Sequence, residues 1–564
     1  MITLNSTLYM NKILQKYLFR GLLLFFTAWC LPFSGHVQNF PPLSIEIEDS
    51  AATQGYYFLA PYTTFPPYNY NHPLLILDRF GRIIFYRIFP EQPNAYTTYD
   101  FKIQPNGRMS YFNTNRSKFY LMDSTFTDVD SIGCVHGFTT DIHDFQIIPD
   151  NHYLLFGKET RIMNLTSYHW FGINHTSPGA SNAQVIGVVI QEFDENKQLI
   201  WEWKGHDHYQ FADVDSIWLF NPNKVDWTHA NAVERDFDGN ILLSLRHFDE
   251  ITKIDYATKD ILWRLGGKQN QFSFPNDPVR FNGQHDIRRV SDTSVSLFDN
   301  GRYSNPPRSR ALEYALDETN KIAVLVWEYI YSNLMYSTAC GNHQYIENGN
   351  HLVDYGNTNS GFPWMVVVKP DKTKVLEINS PEGQFSYRAF NYIPLPWQLH
   401  QPEVDCQKMG ANYYLIAEEG HPEYHWSTGD TTSSIQIADT GEYFVFVPYG
   451  TGFISSEHIY VTDITNPCLY LAEPPQVTHS ELNLACIPNP ATDQVRIIFN
   501  LPSEASVQVS LQTLMGVKIQ DLLLGHYLAG KHEVTIDVSC QQSGIYLLSL
   551  ASNNTRIVRK LIIQ

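Results

Sequence analysis

The chain is poor in charge and has no excess of basic residues. Only 17% of its 564 residues are charged, and the formal net charge is -19. Because phosphate backbones are bound by clustered basic surfaces, this balance argues against nucleic acid as a partner. Aromatic residues, by contrast, make up 14% of the chain. Together these values argue against disorder and favour packed, strand-rich structure, and the length predicts two to four domains.

Long apolar runs are missing except near the N-terminus. Residues 21–31, GLLLFFTAWCL, follow Lys12, Lys16 and Arg20 and precede PFSG. This run is too short to span a bilayer as a permanent anchor. A basic flank, a short apolar core and small residues are typical of a secretory signal peptide. We therefore predict a signal peptide at residues 1–36 and an exported protein.

Cysteine is scarce and widely spaced. The chain holds seven cysteines, one of them within the predicted signal peptide. None form a CxxC pair, so neither a zinc site nor a redox dithiol is indicated. Disulfides fit an oxidising compartment, and Cys406 and Cys468 bracket one predicted domain, but the pairing cannot be read from the sequence.

A repeated strand–turn–strand pattern indicates the architecture. Each unit has a polar or histidine-containing lead, a strand, a turn such as PNG, PDN or DGN, and a second strand. The units begin at Tyr99, His143, His229, Gln284 and Asn342. Hairpins of a second kind alternate with them, which makes four strands per repeat. Five or six such repeats predict a β-propeller over residues 37–398, with an insertion at 207–223.

Two further β-units follow the repeats. Residues 402–472 combine short alternating strands with a Trp and a DTGEY turn, which favours an immunoglobulin-like β-sandwich. After a polar linker, residues 484–564 show strands of clean period two and predict another β-sandwich. The whole chain is therefore predicted to be all-β.

Histidines recur at one position of the repeats. His143, His229, His285 and His343 all stand at the start of a PNG-type hairpin. Equivalent positions of successive propeller blades converge on the central channel, so these side chains are expected to meet. A lone histidine is usually an ordinary surface or core residue, whereas four at one repeated position predict a functional ring. Such a ring suits acid–base catalysis, nucleophilic catalysis or metal binding.

The neighbours of His229 favour an oxyanion ligand over a metal. Asn231 lies two residues further on, so alternation in a strand would put both side chains on one face. Arg246 ends the return strand, and its planar fork of donors suits sulfate or phosphate. A metal site would more naturally combine carboxylates with the histidines and would avoid an adjacent cation.

Charged residues beside the histidines are expected to be structural. Asp144 and Asp286 follow their histidines directly, so in a strand they would point away and cap turns or bind backbone. Arg288 and Arg289 could add positive field to the site, but we expect both to be solvated surface charges.

The segments DWTHANAVERD, SLR, WRLGG, NGQHDI and SLFDNG together resemble the bacterial aryl-sulfate sulfotransferases, over roughly residues 45–398. This resemblance implies a periplasmic or secreted six-bladed propeller that uses no nucleotide donor, no other cofactor and no metal. It also implies that His285 is sulfated as a covalent intermediate. His343 has no counterpart that the resemblance carries over. The remaining implied site residues are His143, His229, Asn231 and Arg246.

The implied reaction is a ping-pong transfer between small molecules. Neutral His285 would attack the sulfur of a phenolic sulfate ester and expel a phenol with a pKa of about 10. His143 or His229 would protonate the leaving oxygen, and Arg246 and Asn231 would hold the sulfuryl oxygens. A second phenol would then accept the group.

Two other functions stay open. One is hydrolysis of sulfate or phosphate esters at the same ring, with water as the acceptor. The other is a catalytically silent propeller for adhesion or glycan binding. The QHD histidine and the arginine beside the imidazoles favour the transferase over the silent propeller.

The C-terminal unit resembles the sorting domain of the type IX secretion system. PNPA, an AGxH turn, SGIY and a basic residue shortly before the end occur in that order within residues 484–564. This resemblance implies export through the periplasm to the cell surface or the medium, with the type IX machinery as a partner. The oligomeric state stays open, a homodimer included.

Overall fold

The structure is a computed structural model and describes most of the chain after the predicted signal peptide. That peptide, residues 1–36, lies outside the described residues. No helix in the described part is long and apolar enough to cross a membrane. The described residues are 43–563, without 48, 50–51, 64–71, 90–97, 173, 333–334, 359–362, 380–383, 469–482, 502–504, 514–517, 528–529, 540 and 553–554.

The protein is all-β, as predicted. Throughout the described residues the regular elements are strands, joined by turns and five short 3₁₀ segments. These segments are Pro149–Asn151, Gly205–Asp207, Phe211–Asp213, Ser216–Trp218 and Arg246–Phe248. Four strands come first in the chain: β1 (Ser44–Ile47), β2 (Tyr56–Thr63), β3 (Leu74–Leu77) and β4 (Ile83–Arg87).

Five antiparallel sheets of consecutive strands follow. The first holds β5 (Thr98–Ile103), β6 (Met109–Asn113), β7 (Lys118–Met122) and β8 (Asp128–Ile132). The second holds β9 (Thr139–Ile148), β10 (His152–Met163), β11 (Ala183–Phe193) and β12 (Leu199–Lys204), and β13 (Lys224–Asp226) pairs with β11 in parallel. The third holds β14 (Ala230–Arg235), β15 (Ile241–Leu245), β16 (Glu250–Ile254) and β17 (Ile261–Gly266).

Three sheets complete the repeat region, and two of them include strands from its N-terminal end. The fourth sheet holds β18 (His285–Ser291), β19 (Ser294–Asp299), β20 (Arg310–Asp317) and β21 (Ile322–Tyr329). The fifth holds β22 (Asn342–Tyr345), β23 (His351–Asp354), β24 (Pro363–Val368) and β25 (Lys374–Asn379), with β1 on its outer edge. The sixth joins β26 (Gln384–Tyr392) to the N-terminal strands β2, β3 and β4.

The first strands of these six sheets form a closed ring. β5 contacts β9, β9 contacts β14, and the cycle continues through β18, β22 and β26 back to β5. Because one edge strand of each sheet contacts the corresponding strand of the next sheet, these six strands surround one common axis and are the inner strands. We interpret the six sheets as the six blades of a propeller. Its ring is closed within the sixth sheet, where N-terminal and C-terminal strands of the repeat region pair.

The predicted insertion at 207–223 lies between β12 and β14. It carries two of the 3₁₀ segments, and its Phe211 and Leu219 are buried in the apolar core between the second and third sheets, with Trp227 beside them. The insertion is thereby fixed to the propeller, and its Trp218 reaches the central site described below.

The second β-unit shares a sheet with the propeller. Its strands are β27 (Val404–Met409), β28 (Asn412–Ala417), β29 (His425–Trp426), β30 (Ser434–Gln436), β31 (Gly441–Tyr443), β32 (Val445–Tyr449), β33 (Gly452–Ser455) and β34 (Ile459–Val461). β33 pairs with β4, so the sixth propeller sheet continues through β33 and β32 to β29 and has seven strands. Cys406 and Cys468 form a disulfide, with 5.4 Å between their Cα atoms. The immunoglobulin-like assignment of this unit stays a prediction.

The C-terminal unit consists of two antiparallel sheets around one apolar core. Its strands are β35 (Asn483–Ile487), β36 (Gln494–Leu501), β37 (Ala505–Gln512), β38 (Lys518–Tyr527), β39 (Gly530–Asp537), β40 (Gly544–Ser552) and β41 (Thr555–Ile563). β35, β36 and β39 make one sheet, and β38, β37, β40 and β41 make the other. Ile497, Val509 and Leu548 are among the buried residues that join the two sheets. The exact domain boundaries stay predictions.

Candidate active site

The pairing of the inner strands is irregular where two of the candidate histidines lie. In β14 the register with β15 breaks between Ala230 and Ala232, and in β18 the register with β19 breaks between His285 and Arg288. Such bulges re-aim side chains, and they are common next to active sites. His229, just before β14, also has a positive φ of 43°. The simple alternation that placed His229 and Asn231 on one face therefore does not apply at this position.

Three of the four repeated histidines come together. The ring centroids of His143 and His229 lie 5.0 Å apart, and both side chains act electrostatically on His285. His343 does not join them. Its Nε2 lies 2.9 Å from Nδ1 of His351, and its ring stacks on Trp327. The fourth histidine is thus part of the packing, in line with its exclusion from the resemblance.

His285 is buried and held in one tautomer. Its Nδ1 lies 2.7 Å from Oδ1 of Asn300, whose Nδ2 donates to the carbonyl oxygens of Ser337 and Cys340. These carbonyls fix the amide so that its oxygen faces the imidazole, and Nδ1 therefore carries the hydrogen. The backbone N–H of Cys340 donates to Nε2 at 3.3 Å. Nε2 accordingly carries the lone pair, which accepts this long hydrogen bond and must leave it to act on a ligand.

The protonation state of His285 follows from its surroundings. Burial and then the nearby charge of Arg246 lower the pKa of His285 well below its usual range. The imidazole is therefore neutral at pH 7, as nucleophilic attack through Nε2 requires. The sequence analysis did not single out Asn300, although the SLFDNG segment contains it.

The other two histidines each pair with a carboxylate. Nδ1 of His143 bonds Oδ1 of Asp141, and Nδ1 of His229 lies 2.6 Å from Oδ2 of Asp226. Because a carboxylate only accepts, both Nδ1 atoms carry hydrogen and both Nε2 atoms are left for a ligand. Burial lowers the pKa of His229, although Asp226 opposes this effect. Sequence reasoning missed both carboxylates, whose signal is an Asp two or three residues before each histidine.

Arg246 is a buried cation without an acidic partner. It is 8% exposed, and in the described part of the chain no carboxylate oxygen lies within 4.0 Å of its guanidinium nitrogens. One nitrogen donates to the carbonyl oxygen of Thr338 at 2.9 Å, while Nε has no partner among the described residues. Burial and then the neighbouring Arg302 lower the pKa of Arg246 to about 10, so it stays charged at neutral pH. A buried, unpaired cation of this kind suits an anionic ligand.

Trp218 and His247 support Arg246. The guanidinium carbon lies 4.2 Å from the centre of the Trp218 ring, and His247 stacks on the same indole at 4.3 Å. Nδ1 of His247 donates to the carbonyl oxygen of Asp226 at 2.6 Å, and Arg246 donates to Nε2 at 3.3 Å. Neither residue was identified from the sequence.

Asp226, His229 and His247 could by distance form a metal site. Their hydrogen bonds argue against one. Nδ1 of each histidine is already directed at an oxygen of Asp226, and the guanidinium of Arg246 occupies the side of Nε2 of His247. A cation this close to a ligand nitrogen would repel a metal ion. The arrangement therefore favours an anion.

Asn231 lies beside His285 but is committed to the backbone. It is fully buried, and its Nδ2 donates to the carbonyl oxygen of Gln284 at 2.7 Å. Its own backbone carbonyl oxygen accepts from Arg388 at 2.6 Å and from the hydroxyl of Tyr387 at 3.2 Å. Asn231 thus links three inner strands next to His285, and its contact with a sulfuryl oxygen stays a prediction.

The prediction that Arg288 and Arg289 are surface charges is wrong. Arg288 lies between Asp144 at 2.9 Å and Asp286 at 2.7 Å, in a buried network that Arg388 completes. Arg289 is buried as well and pairs with Asp236 and Glu318. Asp144 and Asp286 have the predicted structural role, chiefly by binding Arg288 and Arg388.

Comparison with known proteins gives two family matches. Residues 46–389 match the model of the arylsulfotransferase (ASST) family, and residues 485–564 match the secretion system C-terminal sorting domain. The second match confirms the predicted sorting domain and indicates a secreted or cell-surface protein. No curated protein matches the chain.

Several solved structures resemble the chain at low identity. A protein of unknown function from Bacteroides caccae is 9% identical, covers 60% of this chain and 98% of its own, and has a TM-score of 0.36. Virginiamycin B lyase from Staphylococcus aureus is 10% identical, with coverages of 60% and 99% and a TM-score of 0.28. Hydrazine synthase from Kuenenia stuttgartiensis is 10% identical, with coverages of 65% and 90% and a TM-score of 0.29.

The first family match includes all five residues that the sequence analysis singled out for the site. It also spans more than half of the chain, which belongs to the arylsulfotransferase family.

Proposed function

We propose that this protein transfers a sulfuryl group from a phenolic sulfate ester to a phenolic acceptor, with His285 as the covalent carrier. Membership of the family supports a sulfotransferase that acts on small molecules. The observation that carries the proposal is the pairing of a neutral, buried imidazole with an unpaired buried guanidinium, those of His285 and Arg246. The first is a nucleophile and the second a binder of oxyanions.

In the first half-reaction, the lone pair on Nε2 of His285 attacks the sulfur of the donor. The sulfur–oxygen bond to the aryl group breaks, and its electron pair goes to the phenolic oxygen. His143 or His229, in the molecules in which it is an imidazolium, gives its Nε2 proton to this oxygen, and the phenol leaves. Asp141 and Asp226 stabilise the imidazolium form by accepting from Nδ1.

In the second half-reaction, an acceptor phenol returns the proton to the same histidine and attacks the sulfur. The nitrogen–sulfur bond breaks, and its electron pair returns to Nε2 of His285. Throughout the cycle Nδ1 of His285 keeps its hydrogen and donates it to Oδ1 of Asn300. The sulfated ring therefore carries positive charge, which makes the imidazole a good leaving group.

The decisive experiment measures transfer from p-nitrophenyl sulfate to a second phenol. Release of nitrophenol should depend on the acceptor, and intact-mass measurement without acceptor should show an acid-labile sulfuryl adduct on His285. Release that is equally fast without any phenol would instead indicate an ester hydrolase. Absence of both release and adduct would favour a non-catalytic propeller.

Replacing Asn300 with alanine should lower kcat/KM by about 10- to 100-fold, the usual effect of losing a group that orients a reactive imidazole. The ring would no longer be held with its hydrogen on Nδ1, so Nε2 would present its lone pair for only part of the time. Steady-state kinetics with p-nitrophenyl sulfate measure the effect.

A matched control is Asn348→Ala, which removes an exposed turn asparagine of the β22–β23 hairpin. This variant should retain wild-type kinetics. Equal activity of Asn300→Ala and the wild type would show that Asn300 does not orient His285.

A further inference from the structure

Lys158 lies where the two histidine–carboxylate pairs meet. It stands on β10, and its Nζ is 2.9 Å from Oδ2 of Asp141, the oxygen that does not bind His143. Lys158 also lines one cleft with Asp226, the partner of His229, and its charge helps to lower the pKa of Asp226. One ammonium group is therefore placed to act on two imidazoles through two carboxylates.

A small cleft gives this cluster access to solvent. Asp141, Lys158, Asp226 and His229 all line it, together with backbone from β10 and β11. Lys158 is 39% exposed at its side chain and Asp226 is 44% exposed, so the cluster is open to water. Of the three site histidines, His229 lines this cleft, whereas His143 and His285 do not.

We propose that Lys158 is a positioning residue that sets the protonation of both acid–base histidines through Asp141 and Asp226. This inference rests on the proposed function for its kinetic consequence. The cation holds Asp141 in place by an ion pair and at the same time opposes a second positive charge on either imidazole. Lys158 thus limits the cluster to one transferable proton, which is the number that the two half-reactions use.

The other titratable and charged groups around the cluster come from several elements. Tyr387 on β26 packs on His143, with 5.4 Å between the ring centroids, and His285 on β18 faces both imidazoles. From β9 come Asp141 and His143, Asp226 ends β13, and His229 lies just before β14. The turn after β15 supplies Arg246 and His247, and His247 stacks on His229 with 4.4 Å between the ring centroids. Among these groups Lys158 is the one solvent-exposed cation that contacts a carboxylate of either pair.

Lys158→Met should move the acidic limb of the pH profile of kcat/KM for the acceptor phenol upward by on the order of 0.5–1 pH unit. Without the ammonium group an imidazolium is easier to form, so its pKa rises. The histidine that must accept the phenol's proton then becomes neutral only at higher pH. Lys158→Arg keeps the charge and should keep the wild-type limb.

The same shift can be read without catalysis. Diethyl pyrocarbonate modifies only neutral imidazole, and peptide mapping after brief treatment reports the neutral fraction of His143 and His229 at each pH. Both midpoints should move upward in Lys158→Met. Lys204→Met is the matched control, because Lys204 is a partly exposed lysine of the same sheet that pairs with Glu202.

The two readouts separate the two proposals. Shifted modification midpoints in a protein without transferase activity would overturn the proposed function and retain the role of Lys158. Unshifted midpoints in Lys158→Met, or the same shift in Lys204→Met, would overturn the role of Lys158 whatever the activity.

Discussion

Replacing His285 with alanine is expected to lower the rate of sulfuryl transfer by about 10⁴-fold or more, as removal of a covalent nucleophile typically does. No neighbour can take over the role. Nδ1 of His143 and of His229 is bound to a carboxylate, and the Nε2 atoms of these rings are the proposed proton carriers. The site would keep Arg246 and hence its affinity for the sulfate ester.

The measurement combines fixed-time assays of sulfuryl transfer with intact-mass spectrometry. His285→Ala should show no sulfuryl adduct and should still bind p-nitrophenyl sulfate by calorimetry. His136→Ala serves as the control, because His136 is an exposed histidine paired with Glu202 outside the site. Unchanged transfer in His285→Ala would rule out the covalent route through this residue.

The second large effect is expected for Arg246→Met, which should raise the barrier by on the order of 2–4 kcal/mol, or roughly 30- to 1,000-fold in rate. Methionine keeps much of the apolar contact with Trp218 but removes the charge and the donors. Because no carboxylate of the described residues neutralises Arg246, its full charge is available to the sulfuryl oxygens. Both kcat and the affinity for the donor should fall.

Two further variants show whether charge or geometry is decisive. Arg246→Lys restores the charge without the planar fork and should recover only part of the activity. Arg235→Met is the control, because Arg235 also lies over an aromatic ring, that of Tyr256, but far along its strand from the site. Wild-type rates in Arg246→Met would mean that the guanidinium does not bind the sulfuryl group.

Much of the fold could be predicted because it follows from local patterns. Turn residues and alternating apolar positions marked the hairpins, and the spacing of the repeats indicated a propeller. The histidines could be found because a repeated architecture converts equal sequence position into closeness in space. His143, His229 and His285 were brought together on that basis alone.

The residues that sequence reasoning missed depend on contacts between separate segments of the chain. Asn300 acts on His285 across a hairpin, but its orientation is set by carbonyl oxygens of residues 337 and 340 from the next blade. Lys158 pairs with Asp141 on β9 and lines a cleft with Asp226 on β13, both strands of its own sheet. No motif or repeated position in the sequence links Asn300 or Lys158 to these partners.

The error on Arg288 and Arg289 has the same origin. An arginine that follows an HD dipeptide looks like an ordinary exposed strand residue. Arg288 is buried because Asp144, from a blade two positions earlier in the ring, supplies the compensating charge. The alternation argument for His229 and Asn231 does not apply for a local reason, since His229 precedes β14 with a positive φ and the register of β14 shifts between Ala230 and Ala232.

The seven-stranded sheet has a consequence for how this chain can be divided. β33 covers the outer edge of β4, and Phe453 stacks on Tyr86 across the junction. A truncated enzyme that ended after the propeller would expose both an unpaired strand edge and aromatic surface, a combination that promotes aggregation. The unit after the propeller thus covers this edge and should limit aggregation. A shortened protein should therefore retain residues up to Cys468, so that this unit keeps its disulfide.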